Sequence, residues 1–387
     1  MGRLPYLTSR LQGFGTTIFA EMSALATATG AINLGQGFPD ADGPVEVSEA
    51  AIAAIRGGHN QYPPGIGIAD LRNAIAEHQQ RFWGIDLDAD REILVTAGAT
   101  EAITAALLAL CEAGDEVVTF EPSYDSYRAA AAMAGATLRV VTLHPPAYSF
   151  DVDELARAFT PRTRLVLLNS PHNPTGKVFG ADELEAIARL CRDHDVIALT
   201  DEVYEHLVYD GTHVPLSTLP GMRERTITAS SAGKTFSFTG WKVGWVCGPP
   251  PLVDAVRTAK QFLTYVNAAP FQPAVAVGLR LGGEYFGQLA DDLRTKRDRL
   301  SDGLEAAGLT VFRPAGTYFV TADIRSVGEE DGLEFCRRLP DRCGVVAIPN
   351  QVFYEDAARG RHLVRFAFCK RLEVLAEAAT RLKALAR

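Results

Sequence analysis

The sequence predicts an α/β protein built on a largely parallel sheet, followed by a smaller α+β region. Three observations carry this. Between about residues 90 and 250, short and almost uninterrupted apolar runs alternate with stretches of helical periodicity. Strands that stay apolar on both faces need cover on both sides, and the intervening helices supply it. The chain has 387 residues, 47% of them hydrophobic, enough for a large core without disulfide or metal staples. After about residue 285 the pattern changes to charged helices and shorter strands.

In chain order, residues 1–45 hold brief helical stretches among loops and are expected to form an arm packed against the C-terminal region. Residues 46–285 are expected to form the large domain and residues 286–387 the small one. Ile93-Leu94-Val95-Thr96 reads as a strand and Glu101 to Leu110 as the helix after it. Strands follow at Val117–Phe120, Leu138–Leu143, Arg164–Leu168, Val196–Thr200, Thr226–Thr228 and Val243–Val246, with a helix over Asp182–Cys191. The last region reads as a charged helix through Leu293–Leu304, with Arg294, Lys296, Arg297, Asp298 and Arg299 facing solvent. Strands at Thr317–Ala322, Val345–Ile348 and Leu363–Phe368 and helices near Leu333–Leu339 and Leu372–Leu385 complete it.

Composition narrows the function. A net charge of −9 argues against nucleic acid or an anionic membrane as the main partner. No apolar run is long enough to span a bilayer, and the N-terminus lacks the core of a signal peptide, so a soluble, cytoplasmic protein is expected. The six cysteines are scattered through apolar runs without C-x-x-C pairs, which reads as buried thiols, with no metal site.

Lysine is scarce, and Lys296, Lys370 and Lys383 sit among charged neighbours and read as solvated. Lys234 and Lys242 differ. They lie in Ser230-Ser231-Ala232-Gly233-Lys234-Thr235-Phe236-Ser237-Phe238-Thr239-Gly240-Trp241-Lys242, an aromatic and small-residue run. A lysine there is costly unless something anionic or covalent awaits it, and desolvation makes its amine a usable nucleophile. Three further segments follow strand ends: Thr96-Ala97-Gly98-Ala99-Thr100-Glu101, Asn169-Ser170-Pro171-His172-Asn173-Pro174-Thr175-Gly176, and Thr200-Asp201-Glu202-Val203-Tyr204. Ligands of open α/β sheets bind outside the carboxyl ends of the strands. Small residues at a helix N-terminus let backbone N–H groups approach a phosphate, whereas the patterns of nucleotide-binding loops are missing. The Asn173 amide can donate a hydrogen bond, and Asp201 can hold a ring nitrogen protonated. Arg365, flanked by Val364 and Phe366, reads as a buried arginine suited to a carboxylate.

Together and in this order, these segments resemble the pyridoxal-phosphate aminotransferases of fold type I, class I/II. The resemblance runs from Asn33-Leu34-Gly35-Gln36-Gly37-Phe38-Pro39-Asp40 to Arg365. It implies a mostly parallel seven-stranded sheet, pyridoxal 5'-phosphate as cofactor, and ping-pong transamination between an L-amino acid and a 2-oxo acid. Residue by residue, it makes Lys234 the Schiff-base lysine that shuttles the proton and Asp201 the partner of the ring nitrogen. Asn173 and Tyr204 would hold the ring oxygen, and Tyr124 would stack on the ring. Gly98, Ala99 and Thr100, with Ser231 and Lys242, would cradle the phosphate. Tyr62 would reach the phosphate of a partner subunit, implying a homodimer with shared sites. Arg365 would clamp the substrate α-carboxylate, and Gly37 and Asn173 would contact the substrate. Where some relatives carry a Trp near the substrate side chain, this chain has Ile18-Phe19, which places Phe19 at that wall.

The subgroup it looks like contains N-succinyldiaminopimelate, kynurenine/glutamine and methionine aminotransferases. Gly35 to Asp40, Asn60-Gln61-Tyr62 and the Lys234–Trp245 run point there. The resemblance implies N-succinyl-L,L-diaminopimelate and 2-oxoglutarate as substrates, within lysine biosynthesis. A kynurenine, glutamine or methionine aminotransferase and a cysteine-conjugate β-lyase are the alternatives. Ser231-Ala232-Gly233-Lys234 is formally the S-x-x-K of a serine acyl-enzyme, but the supporting S-D-N and K-T-G elements are missing. A DNA-binding sensor would need a basic helix-turn-helix extension of roughly sixty residues, whereas the site loops are reached by Gly37, so that reading is not expected.

Overall fold

The central sheet follows from the alternating apolar runs, and a computed structural model describes residues 4–15 and 17–386. In chain order its strands are β1 (Ile32–Asn33), β2 (Ile93–Thr96), β3 (Glu116–Glu121), β4 (Thr137–Thr142), β5 (Thr163–Asn169), β6 (Ile197–Asp201) and β7 (Thr226–Ser231). They continue with β8 (Gly244–Cys247), β9 (Thr310–Phe312), β10 (Phe319–Asp323), β11 (Val345–Val346), β12 (Ile348–Pro349) and β13 (Leu363–Ala367). Seven of them form one sheet in the order β2-β8-β7-β6-β5-β3-β4, parallel except for β8, which runs antiparallel to both neighbours.

Both faces of that sheet are buried, and strand alternation decides which residue serves which face. Val117, Leu165, Leu167, Leu199 and Ile227 pack with Ile103 and Leu107 of the helix Gly98–Leu110 and with Val253 and Val256 of the helix Pro250–Lys260. Val118, Val166, Leu168 and Ala198 pack on the other side with Leu184 and Ile187 of the helix Ala181–Asp193. The pairings Asn169↔Asp201 and Asp201↔Ala229 bring the carboxyl ends of β5, β6 and β7 level with one another. Those ends carry the candidate residues.

A four-stranded antiparallel sheet, β12-β13-β10-β9, follows in the chain. The N-terminal segment joins it from the side: β1 pairs with β11, and the helix Ile18–Thr29 packs on the helix Gly332–Cys343. All six cysteines are buried and free. Among the described residues no helix is long and apolar enough to cross a membrane.

Three charged residues depart from the sequence expectation. Arg297, expected in solvent, is buried on the helix Gly283–Ala306, where its guanidinium bonds Asp210 at 2.6 Å and the Pro314 carbonyl at 3.0 Å. Lys370, expected to be solvated, is buried with its ammonium donating to the Phe38 carbonyl at 2.7 Å and lying over the Phe38 ring. The side chain of Lys296 is also largely covered and pairs with Asp292 at 2.6 Å. In each case a partner compensates the lost hydration, for Arg297 and Lys370 one remote in sequence, and charged neighbours in the sequence do not report that.

Candidate active site

Level strand ends leave a cavity of about 450 Å³ beyond the sheet, and every sequence-predicted site residue except Tyr62 lines it. Lys234 sits on the short helix Ala232–Thr235 that turns off β7. Its Nζ lies 5.9 Å from the Tyr204 ring centre and 5.5 Å from that of Tyr318, and its one hydrogen bond is a long 3.4 Å contact to the Gly37 carbonyl. Burial among those rings is the main reason its amine is brought down to about 8.

Asp201 ends β6 in a fully enclosed position and is pushed up to about 6, chiefly by burial. Its Oδ2 accepts from the Tyr127 hydroxyl at 2.6 Å, a donation that favours the charged form and limits the rise. Asn169, at the end of β5, ties the two strand ends together. Its amide donates to the Asp201 carbonyl at 2.8 Å, and its Oδ1 accepts the Asn173 backbone N–H at 2.7 Å. Asn173 is thereby fixed over the strand ends, with its Oδ1 turned to Arg365 and its Nδ2 left to donate.

Arg365 lies on β13 and is 1% exposed. Its Nη1 donates to Asn173 Oδ1 at 2.9 Å, its Nη2 donates to the Gly35 carbonyl at 3.2 Å, and its Nε has no partner. The guanidinium is stacked 3.9 Å from the Phe319 ring centre, with Phe353 and Phe19 at 5.1 and 5.3 Å. Desolvation brings it down to about 10. Among the described residues no carboxylate pairs with it, so a buried cation with an unused donor faces the cavity.

Opposite charge has a place as well. The helix Gly98–Leu110 opens with no side-chain cap on its first N–H groups. Gly98 takes φ +73°, and β8 passes so close that a Cβ on Gly244 would lie 2.6 Å from the Gly98 carbonyl carbon. Lys242 is held in a left-handed conformation, with its Nζ 3.4 Å from Thr100 Oγ1. Backbone N–H groups, Thr100, Ser231 and an ammonium thus converge, as an anion such as phosphate requires. Gly37 is needed for another reason: a Cβ there would stand 2.5 Å from the Phe319 ring. These features together fit a ligand with an anionic group, a cationic ring atom near Asp201 and a carboxylate near Arg365.

Tyr62 is 82% exposed and packs edge-on against Tyr265, outside the cavity. Tyr127, Tyr318 and Phe319 are site residues that sequence reasoning missed, and Asn169, which opens one of the singled-out segments, was given no role there. For Tyr127 a signal existed, since it stands three positions after Tyr124 at the start of the helix Asp125–Ala134.

Asp201 gives a pH prediction for the protein stripped of small molecules. Its folded value near 6 exceeds the ordinary 3.8, so the folded state binds more protons between the two. Stability from this group is fully present below about 4 and lost as pH rises through about 6. Asp201→Asn should therefore gain on the parent protein across that window, by roughly 3 kcal/mol at neutral pH. Denaturant melts of both proteins at several pH values check this, and a pH-independent difference would contradict it.

The family model for aminotransferase class I and II matches residues 29–382. A probable N-succinyldiaminopimelate aminotransferase of Mycobacterium tuberculosis is 54% identical over 98% of each chain. A methionine aminotransferase of Escherichia coli is 43% identical over 97% of this chain and 98% of the other. The solved structure of the Mycobacterium tuberculosis N-succinyldiaminopimelate aminotransferase superposes with a TM-score of 0.96, covering 98% of this chain and all of that one.

Proposed function

The chain belongs to the class I and II aminotransferases, and from that premise we propose that it moves an amino group from N-succinyl-L,L-diaminopimelate to 2-oxoglutarate. Members of this family use pyridoxal phosphate, and the residues around the cavity fit that group. When bound, it supplies an aldehyde that takes up amines and a ring that draws electrons from the substrate α-carbon.

The residues of this chain divide the remaining work. Lys234, with its amine near 8, is partly neutral at physiological pH and can take the α-proton and return it. Asp201 is the acceptor for a protonated ring nitrogen, and that positive charge restores it to the ionised form. Tyr127 orients it through the 2.6 Å hydrogen bond. Asn173 Nδ2 and the Tyr204 hydroxyl would donate to the ring oxygen, and Tyr124 would pack against the ring. Gly98, Ala99, Thr100, Ser231 and Lys242 would hold the phosphate. Arg365 binds the α-carboxylate of donor and acceptor alike, with its free Nε available for a two-point grip.

The observation that carries the reaction class is the buried, carboxylate-free Arg365 sharing a cavity with Lys234. The similarity over 98% of the chain supports the amino donor. Phe19, Phe319 and Phe353 around Arg365 favour a second reading, an apolar or aromatic donor such as methionine or kynurenine. The test is kcat/KM for these donors with 2-oxoglutarate under one set of conditions. The succinylated diamino acid is expected to lead. A tenfold lead for kynurenine or methionine, about 1.4 kcal/mol in transition-state binding, would select the second reading.

Tyr62 is proposed to serve the partner's site in a homodimer. Its exposure beside Phe262 and Tyr265, which are also exposed, suits burial in a two-fold interface. Mixing Lys234→Ala with Tyr62→Ala subunits, each of low activity, is expected to restore part of the activity, because one site per hybrid dimer is then intact. A fully active monomer in sedimentation would rule this out.

A further inference from the structure

Outside that cavity, the segment that carries Asp201 and Tyr204 continues into Glu205 and His206, and these meet His78 of the helix Ala69–Trp83. The Nε2 atoms of His78 and His206 face each other at 2.7 Å, and a Glu205 oxygen lies within 4.8 Å of a ring nitrogen of each histidine. His78 and Glu205 are buried, while His206 is half-buried. The rings of Phe82 and Phe286 enclose the two imidazoles, at 4.8 Å from His78 and 4.4 Å from His206 respectively. Transamination as derived above uses none of the three polar groups.

We propose that His78 Nε2, His206 Nε2 and one Glu205 oxygen form a binding site for a single divalent transition-metal ion of the zinc class. Two imidazole nitrogens and one carboxylate oxygen suit zinc, cobalt or nickel, whereas magnesium and calcium want oxygen donors throughout. Two nitrogens pointing at one another need either a shared hydrogen or a shared cation between them. A neutral imidazole has one ring nitrogen with a lone pair to offer. In the tautomer that binds through Nε2, the hydrogen of His78 sits on Nδ1, and the cation takes the place of the hydrogen bond between the two Nε2 atoms.

Glu205 is already aimed. The Trp83 indole N–H donates to Oε2 and the Ser230 hydroxyl to Oε1, each at 2.8 Å, the outer-shell support that ligating carboxylates have. Tetrahedral coordination at about 2.0–2.1 Å per nitrogen requires the two Nε2 atoms to part by roughly 0.6 Å. The partial exposure of His206 gives the ion an entry and leaves one coordination position for water. Such an ion ties the helix Ala69–Trp83 to the segment bearing Asp201 and Tyr204.

Cobalt(II) titration of the full chain as purified, after chelator treatment, tests this. The expected result is one equivalent per chain with a visible d–d spectrum of a low-coordinate nitrogen and oxygen site, and a zinc-dependent rise in Tm. His78→Gln and Glu205→Gln should each weaken cobalt binding tenfold or more and remove the Tm rise. Two variants are used because one of them could fail to fold. Absence of stoichiometric binding, binding that survives in the folded variants, or a thiolate-to-cobalt charge-transfer band would overturn the proposal.

Discussion

Lys234→Ala is expected to lower turnover by several orders of magnitude while leaving the fold intact. The amine is brought down toward neutral pH, chiefly through burial, with the Tyr204 and Tyr318 rings on either side. No other lysine can replace it. Lys242 is exposed and turned to Thr100, and the Lys260 ammonium is bound to the carbonyls of Gly65 and Tyr265 at 2.9 and 2.6 Å. Folding should tolerate the change because Lys234 has only the long contact to the Gly37 carbonyl, which also accepts from the Tyr318 hydroxyl. No buried group is orphaned. The check is kcat alongside a thermal melt: a variant with a parental melt and near-parental kcat would remove Lys234 from the chemistry.

Arg365→Lys is expected to reduce kcat/KM by about 10²–10³-fold, roughly 3–4 kcal/mol of transition-state binding. The substitution keeps a positive charge, so the loss measures geometry. Arginine reaches Asn173 Oδ1 and the Gly35 carbonyl with two nitrogens and still has Nε to offer, with its guanidinium carbon over the Phe319 ring. A lysine ammonium cannot hold both acceptors and a carboxylate in one plane, and it leaves part of that buried network unpaired. In the proposed reaction Arg365 fixes the substrate through its α-carboxylate, so both KM and kcat should suffer. Steady-state kinetics with donor and acceptor varied separately check this; a loss for the donor alone would contradict a shared carboxylate site.

The main sheet and the level ends of β5, β6 and β7 were legible because their residues are apolar on both faces, and few folds accept several such strands with helices between. The site residues at those ends were legible for the same reason: Asp201 ends a strand, and Asn173 and Lys234 lie within one turn of chain after one. Long-range pairing was not legible. Tyr127 meets Asp201 across 74 positions of chain, and only the sheet order brings the helix after β3 beside the end of β6. Arg297 reads as solvated from its charged neighbours, yet its partner Asp210 lies 87 positions earlier. Phe319 was hidden differently, since an aromatic in an apolar strand looks like core, and its stacking on Arg365 depends on the register of β10 with β13.

The proposed chemistry requires a covalent bond between pyridoxal phosphate and one particular lysine. Borohydride reduction of the holoenzyme, followed by proteolysis and mass mapping of the modified peptide, reads that bond directly. The cofactor mass is expected on Lys234, within the peptide containing Ser230-Ser231-Ala232-Gly233-Lys234. Its appearance on Lys242 or Lys260, or the lack of any modified lysine in an enzyme that still transaminates, would contradict it.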